Sequence, residues 1–248
     1  RMAETKLLMP SAGPITPSLY EFNPLFVRNR PTLFLSGLGG NQDTWGDEVI
    51  VSGLTDRFAY SFGQFHYQND GYRPNNDLEN NLYNLFVQTT VTPDFSLQAE
   101  YRHRETIDGS LESNFDGSFS ASRRRNLDQD TARIGARYSL SPQTTVIASV
   151  IYTDRDSVRS FPVGNFTLEN SQKGTQAETQ LLYKAEPFNV IAGLGGYSLD
   201  FSSSDSDNPS GEPDATITQQ IAYGYANIKM PDNVIWTVGL SYESNESL

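Results

Sequence analysis

The stretch "TPDFSLQAEYRHRE", residues 92–105, opens on a turn and then alternates. Phe95, Leu97, Ala99, Tyr101 and His103 fall on one side, and Ser96, Gln98, Glu100, Arg102 and Arg104 on the other. A period of two makes a β-strand with one apolar and one polar face. The same beat returns in Ala132, Ile134, Ala136, Tyr138 and Leu140, set against Arg133, Gly135, Arg137 and Ser139, and again in Val234, Trp236, Val238, Leu240 and Tyr242. From Thr32 onward eleven segments read as strands, near 32–39, 48–54, 58–68, 80–91, 95–105, 130–140, 144–154, 175–185, 188–200, 216–228 and 234–242. None carries helical spacing over more than two turns, so the chain is all-β.

Alternation leaves open which face is buried. A soluble sandwich turns the apolar face inward, and a membrane barrel turns it outward to lipid. The connections decide. "TDR", "TPD", "SPQ", "EP" and "MPDN" are tight turns built on proline and aspartate. The others read as long and polar: "NDGYRPNNDLEN", "IDGSLESNFDGSFSASRRRNLDQD", "RDSVRSFPVGNFTLENSQKG" and "SSSDSDNPSGEPDA". Short and long alternate, as in an up-and-down outer-membrane barrel with short periplasmic turns and long outside loops. A sandwich has no reason to place every short turn at one end.

Aromatic residues gather at the short-turn end. Phe58, Phe95 and Phe188 follow tight turns at once, Tyr138 and Tyr183 stand just before two of them, and Trp236 follows the last. Rings at one level form a membrane–water girdle, because an amphipathic ring prefers the interface. The polar sides then line a wet lumen, where charges keep their hydration. The net charge of −12 argues against a nucleic-acid binder, and with 0 Cys there are neither disulfides nor thiolate metal sites. No run of about 18 apolar residues exists for a transmembrane helix, a test that leaves barrels untouched. Residues 1–30 read as an irregular periplasmic-side lead-in and 31–248 as barrel. Eleven strands is an odd number, whereas single-chain bacterial barrels close with an even one, so the expectation is a portion of a larger barrel.

The phrases "SLYEFNPLFVRNR", "TWGDEVIVSGL", "SFGQFHYQNDGYRPNNDLE" and "TARIGARYSLSP" resemble the start of the barrel region in a group of bacterial outer-membrane proteins. In that group tetratricopeptide repeats precede a barrel similar to those of TonB-dependent receptors. The resemblance implies an outer-membrane location, repeats or energising proteins on the periplasmic side, and a role in transport or export. It implies no catalytic residues and no cofactor. No such repeat occurs in the sequence, and residues 1–30 are too few for a receptor plug.

Gln98, Glu100, Arg102, Arg104, Arg133, Arg137, Gln176, Glu178, Gln180 and Lys184 are the candidate lumen-lining residues. The arginines give a basic stripe suited to an anionic or sugar-like solute, or else form an ion-pair network with Glu100. Arg123, Arg124 and Arg125 sit in the longest expected loop, either as a solvated run or in contact with lipopolysaccharide phosphates. Asp205 and Asp207 stand two apart, but Pro209 occupies a ligand position, so a mobile loop is expected there rather than calcium. "GLGG" at 37–40 and 193–196 lacks a following helix, which points to strand glycines. His66 and His103 are rim histidines, with a membrane hydrolase as the alternative. These readings lead to an aqueous channel passing a polar solute or exported polymer. A TonB-dependent uptake receptor with its plug outside this chain is the second transport reading, and a surface adhesin or assembly scaffold anchored by the barrel is the third.

Overall fold

The computed structural model describes residues 30–111, 119–206, 215–231 and 234–247. Eleven strands follow one another: β1 (Pro31–Gly39), β2 (Trp45–Thr55), β3 (Phe58–Asn69), β4 (Leu78–Thr92), β5 (Phe95–Asp108), β6 (Arg124–Ser139), β7 (Thr144–Phe161), β8 (Phe166–Ala185), β9 (Phe188–Asp205), β10 (Ala215–Lys229) and β11 (Ile235–Ser247). They form a single antiparallel sheet in the order β1 to β11, every neighbour in space being a neighbour in sequence. The sheet is unclosed, since β1 pairs only with β2 and β11 only with β10.

Tight turns fix the register. The two-residue connections at 56–57, 93–94 and 186–187 place Thr55 opposite Phe58, Thr92 opposite Phe95 and Ala185 opposite Phe188. Asp56 takes a positive φ of 50°, which aspartate tolerates at low cost. Because side chains alternate, each of these registers sets a whole face.

That face is inverted relative to a soluble sheet. Gln88, Gln98, Arg133, Glu178 and Gln180 are all buried, while Ile134 is 66% exposed, Val238 61% and Leu240 80%. Among the described residues no second layer covers the apolar side. In a one-layer sheet the crowded face is the concave one, so the polar residues point inward and the apolar residues point to lipid. This is the arrangement of a transmembrane barrel, not of a soluble sandwich. The inner face is not uniformly polar. Two apolar clusters also face inward: Ile50 and Leu82 with Phe65, where Leu82 is level with Arg104 toward the loop end, and Ile147 and Leu182 with Ile191 beside the short turns.

Strands continue further toward the loop end than the sequence indicates. Most of "RDSVRSFPVGNFTLENSQKG" is strand, leaving only 162–165 as a turn, as short as 140–143 at the opposite end. The strict alternation of loop lengths therefore fails at this connection. Asn165 closes the turn with a φ of 47°, in the left-handed region that asparagine accepts more readily than other side chains. Arg124 and Arg125 likewise belong to β6 rather than to a loop, and Asp205 ends β9. Asp207, Pro209 and residues 1–29 lie outside the described residues.

Candidate functional site on the inner wall

All ten candidate lining residues share the concave face. The register aligns Glu100 with Arg133, Gln98 with Gly135 and Ser96 with Arg137 across β5 and β6. It also aligns Ile147 with Gln180, Ser149 with Glu178 and Ile151 with Gln176 across β7 and β8. Lys184 has the same parity as Gln180 but lies exposed beside the short turn.

The structure divides these residues into groups. Glu100 gathers three donors: Arg133 at 2.8 Å, Asn84 at 2.9 Å and Arg102 at 3.1 Å. Arg102 and Arg133 thus belong to a wall network, whereas Arg104 and Arg137 do not join it. Gln98 is only 3% exposed, and neither polar atom of its side-chain amide has a hydrogen-bond partner among the described residues. Glu178 accepts a hydrogen bond from Gln180 at 2.8 Å and another from the Tyr223 hydroxyl. Tyr223 reaches it by lying across Gly193, where an added Cβ would run into the ring. The second "GLGG" therefore makes room for an aromatic ring, a role beyond strand bending.

Arg104 donates to neutral acceptors, Asn80 at 3.0 Å and Thr106 at 3.1 Å. It stands in a row with Gln129 of β6, Arg155 of β7 and Gln172 of β8. The row nearer the loops holds Asp108, Arg125 and Arg159. Arg125, Arg155 and Arg159 do not read as lining residues in the sequence, because their segments read as loop, Arg125 in the run with Arg123 and Arg124. The missed signal is charge alternation in "HRE" (103–105), "DQD" (128–130) and "DRD" (154–156), whose middle residues point inward and whose acids point outward.

Above these rows two connections interlock. Asn75 donates to the Ser120 carbonyl at 2.7 Å and the Arg123 carbonyl at 2.8 Å, and Arg73 and Asn76 both donate to the Ser110 carbonyl. Arg124 binds Asp77 at 2.6 Å. The described parts of the β3–β4 and β5–β6 connections so meet as a cap at the loop end of the wall.

The outward face changes character at one level. Tyr83, Tyr101, Tyr152 and Tyr242 end its apolar run, and Asn81, His103, Asp154 and Ser244 follow them. Phe95 to Tyr101 spans about 20 Å along the strand, somewhat less than the roughly 25 Å apolar band of such barrels. At the other end Phe58, Phe95, Tyr138, Tyr183, Phe188 and Trp236 share the outward face beside the short turns, Phe95 meeting Tyr138 edge-on at 6.1 Å.

Above the tyrosines, His103 Nδ1 lies 3.0 Å from Asp130 and Nε2 lies 3.4 Å from Glu105. Both ring nitrogens of His103 thus face carboxylates. His103, Glu105 and Asp128 each bring one possible ligand atom within 4.8 Å of the others, an arrangement that exposed acids also adopt without an ion. His66 stacks on Trp45 at 4.3 Å, with Nδ1 2.6 Å from Asn81. No serine hydroxyl bonds either histidine among the described residues, so the geometry lends nothing to a hydrolase.

Neither a protein-family model nor a curated protein sequence matches the chain. Solved structures do. The copper transporter OprC superposes with a TM-score of 0.72 at 11% identity, over 88% of this chain and 36% of that one. The chain has, in part, the fold of that barrel. The alcaligin outer-membrane receptor FauA from Bordetella pertussis gives 0.69 at 15% identity, over 89% and 37%. The ferric yersiniabactin uptake receptor FyuA from Yersinia pestis gives 0.67 at 12%, over 88% and 43%. The chain thus spans well under half the length of the proteins it resembles. What these structures share with the chain is the fold, an antiparallel β-barrel of which the eleven strands make up a part. The tetratricopeptide association finds no support, since every regular element described is a strand.

Proposed function

We propose that this chain forms part of the wall of a TonB-dependent uptake receptor, which carries a polar solute inward through a lumen gated by a plug. The observation that carries this reading is the inverted sheet, apolar outside and polar inside, in the fold of solved uptake receptors. On the outside, the rings from Phe58 to Trp236 sit at the periplasmic interface and Tyr83, Tyr101, Tyr152 and Tyr242 at the outer one, with lipid between them and lipopolysaccharide above. An energising protein on the periplasmic side completes the machinery, and transport requires no bond-making by the barrel itself.

The test has two arms. Full-length protein in planar bilayers is expected to show no steady conductance, and cells carrying it are expected to retain labelled solutes from culture medium in a protonophore-sensitive way. Steady ohmic conductance would replace the receptor by a passive channel or export pore. Absence of both conductance and energy-dependent retention would leave an anchor for an adhesin or scaffold.

A further inference from the structure

The receptor reading leaves the solute open, and the inner wall narrows it. We propose that Arg104, Arg125, Arg155 and Arg159 form a shelf below the loop cap that binds a small polyanion, a solute presenting two or more carboxylate or phosphate groups. The proposal rests on the receptor reading only for the direction of transport.

The shelf is built by register. Arg125 faces Arg159 directly across β6 and β7, and Arg104 and Arg155 flank Gln129 in the row four residues below. Adjacent strands lie about 4.8 Å apart and four residues span about 13 Å along a strand, so long side chains from both rows can reach one ligand. Placing like charges opposite one another destabilises a sheet unless something compensates. Among the described residues the inward carboxylate in these rows is Asp108, buried and already held by Arg125 at 2.6 Å. Among the described residues Arg104, Arg155 and Arg159 make no ion pair. Arg104 and Arg155 are each partly buried and each repelled by Arg125, and Arg155 by Arg159 as well.

The distribution of acids sharpens the argument. The chain carries −12 overall, and β5 to β7 hold ample carboxylates at this height, in Glu105, Asp128, Asp130, Asp154 and Asp156. Every one of them points outward, by the alternation that turns the arginines inward. Lower on the same wall Glu100 does neutralise Arg102 and Arg133. Elsewhere on the described inner face an arginine or lysine without an ion pair stands singly, as Arg137 and Lys184 do, whereas the shelf gathers three such arginines around Arg125. Neutral acceptors hold two of its members in place, Asn80 and Thr106 for Arg104, and Gln172 for Arg155 at 3.5 Å. Guanidinium groups remain charged at any working pH and match the planar oxygen pairs of carboxylates and phosphates.

Calorimetric titration of full-length protein in detergent tests this, with citrate and tripolyphosphate as the anionic probes and maltotriose as a neutral control. One or both anions are expected to bind, the arm that binds identifying the carboxylate or the phosphate class, with affinity falling steeply as salt rises. Arg155→Gln should weaken binding roughly ten- to hundredfold. Arg155→Lys should restore it only in part, because it returns the charge without the fork. Arg159→Gln, at an exposed position, keeps the test decisive should Arg155→Gln fail to fold, and Arg137→Gln near the short turns should leave binding unchanged. Binding of neither anion, or equal binding by the parent and Arg159→Gln, would overturn the shelf. Arginine-dependent binding without protonophore-sensitive uptake would preserve the shelf and sink the receptor reading. Energised uptake without anion binding would do the reverse.

Discussion

Glu100 shows how much one inward carboxylate organises. Its two oxygens accept from Arg133, Asn84 and Arg102 at 2.8–3.1 Å, and Arg133 is only 7% exposed. Glu100→Ala removes Arg133's carboxylate partner from a place water barely reaches, and should cost about 2–3 kcal/mol. Glu100→Gln, which keeps an acceptor, should cost less. Urea unfolding midpoints of the lipid-reconstituted protein check the order, and a Glu100→Ala variant as stable as its parent would show Arg133 to be hydrated from the lumen. The network also explains why a stripe of arginines in the sequence overstates the free positive charge. Arg102 and Arg133 are tied to Glu100, while the uncompensated arginines of the shelf lie nearer the loops.

At the scale of the strand, depth sets the cost of a charge. Ile134 is 66% exposed and faces lipid in the apolar run, whereas Asp128, six residues along the same face of β6, stands above the tyrosine level. Ile134→Arg should destabilise the barrel by about 2–4 kcal/mol and Asp128→Arg by about 0–1 kcal/mol, measured by the same unfolding. Equal costs would mean that this face does not see lipid. The same depth profile governs what the sequence reveals. The lower half of each strand is legible because apolar and polar residues alternate there, so spacing alone puts Phe95, Leu97 and Ala99 on one face. The upper halves of β7 and β8 are polar on both faces, and their pattern resembles a loop, yet backbone pairing continues to Phe161 opposite Phe166. Hydrophobic periodicity vanishes there, and the alternation survives only as sign of charge, acids outward in "DRD" and arginine inward. Arg125, Arg155 and Arg159 are illegible in the sequence for that reason, although Arg104 is not.

For the whole molecule the governing fact is the pair of open edges. β1 and β11 each have one partner, and outward residues on both, Leu33 and Leu35 on one and Val238 and Leu240 on the other, place those edges in the apolar band. An unpaired backbone group in hydrocarbon costs several kcal/mol, so a spanning sheet must close on itself or find further strands. The receptors it resembles are more than twice as long, which matches the second alternative. Residues 30–247 refolded alone into liposomes are therefore expected to give no heat-modifiable, protease-resistant monomer, and supplying the strands that pair with β1 and β11 should produce one. A resistant species appearing only as protein concentration rises would mean that a second copy fills the edges. A resistant monomer from residues 30–247 would show that β1 meets β11, making the lumen narrower than in the uptake receptors and forcing the shelf arginines toward the opposite wall.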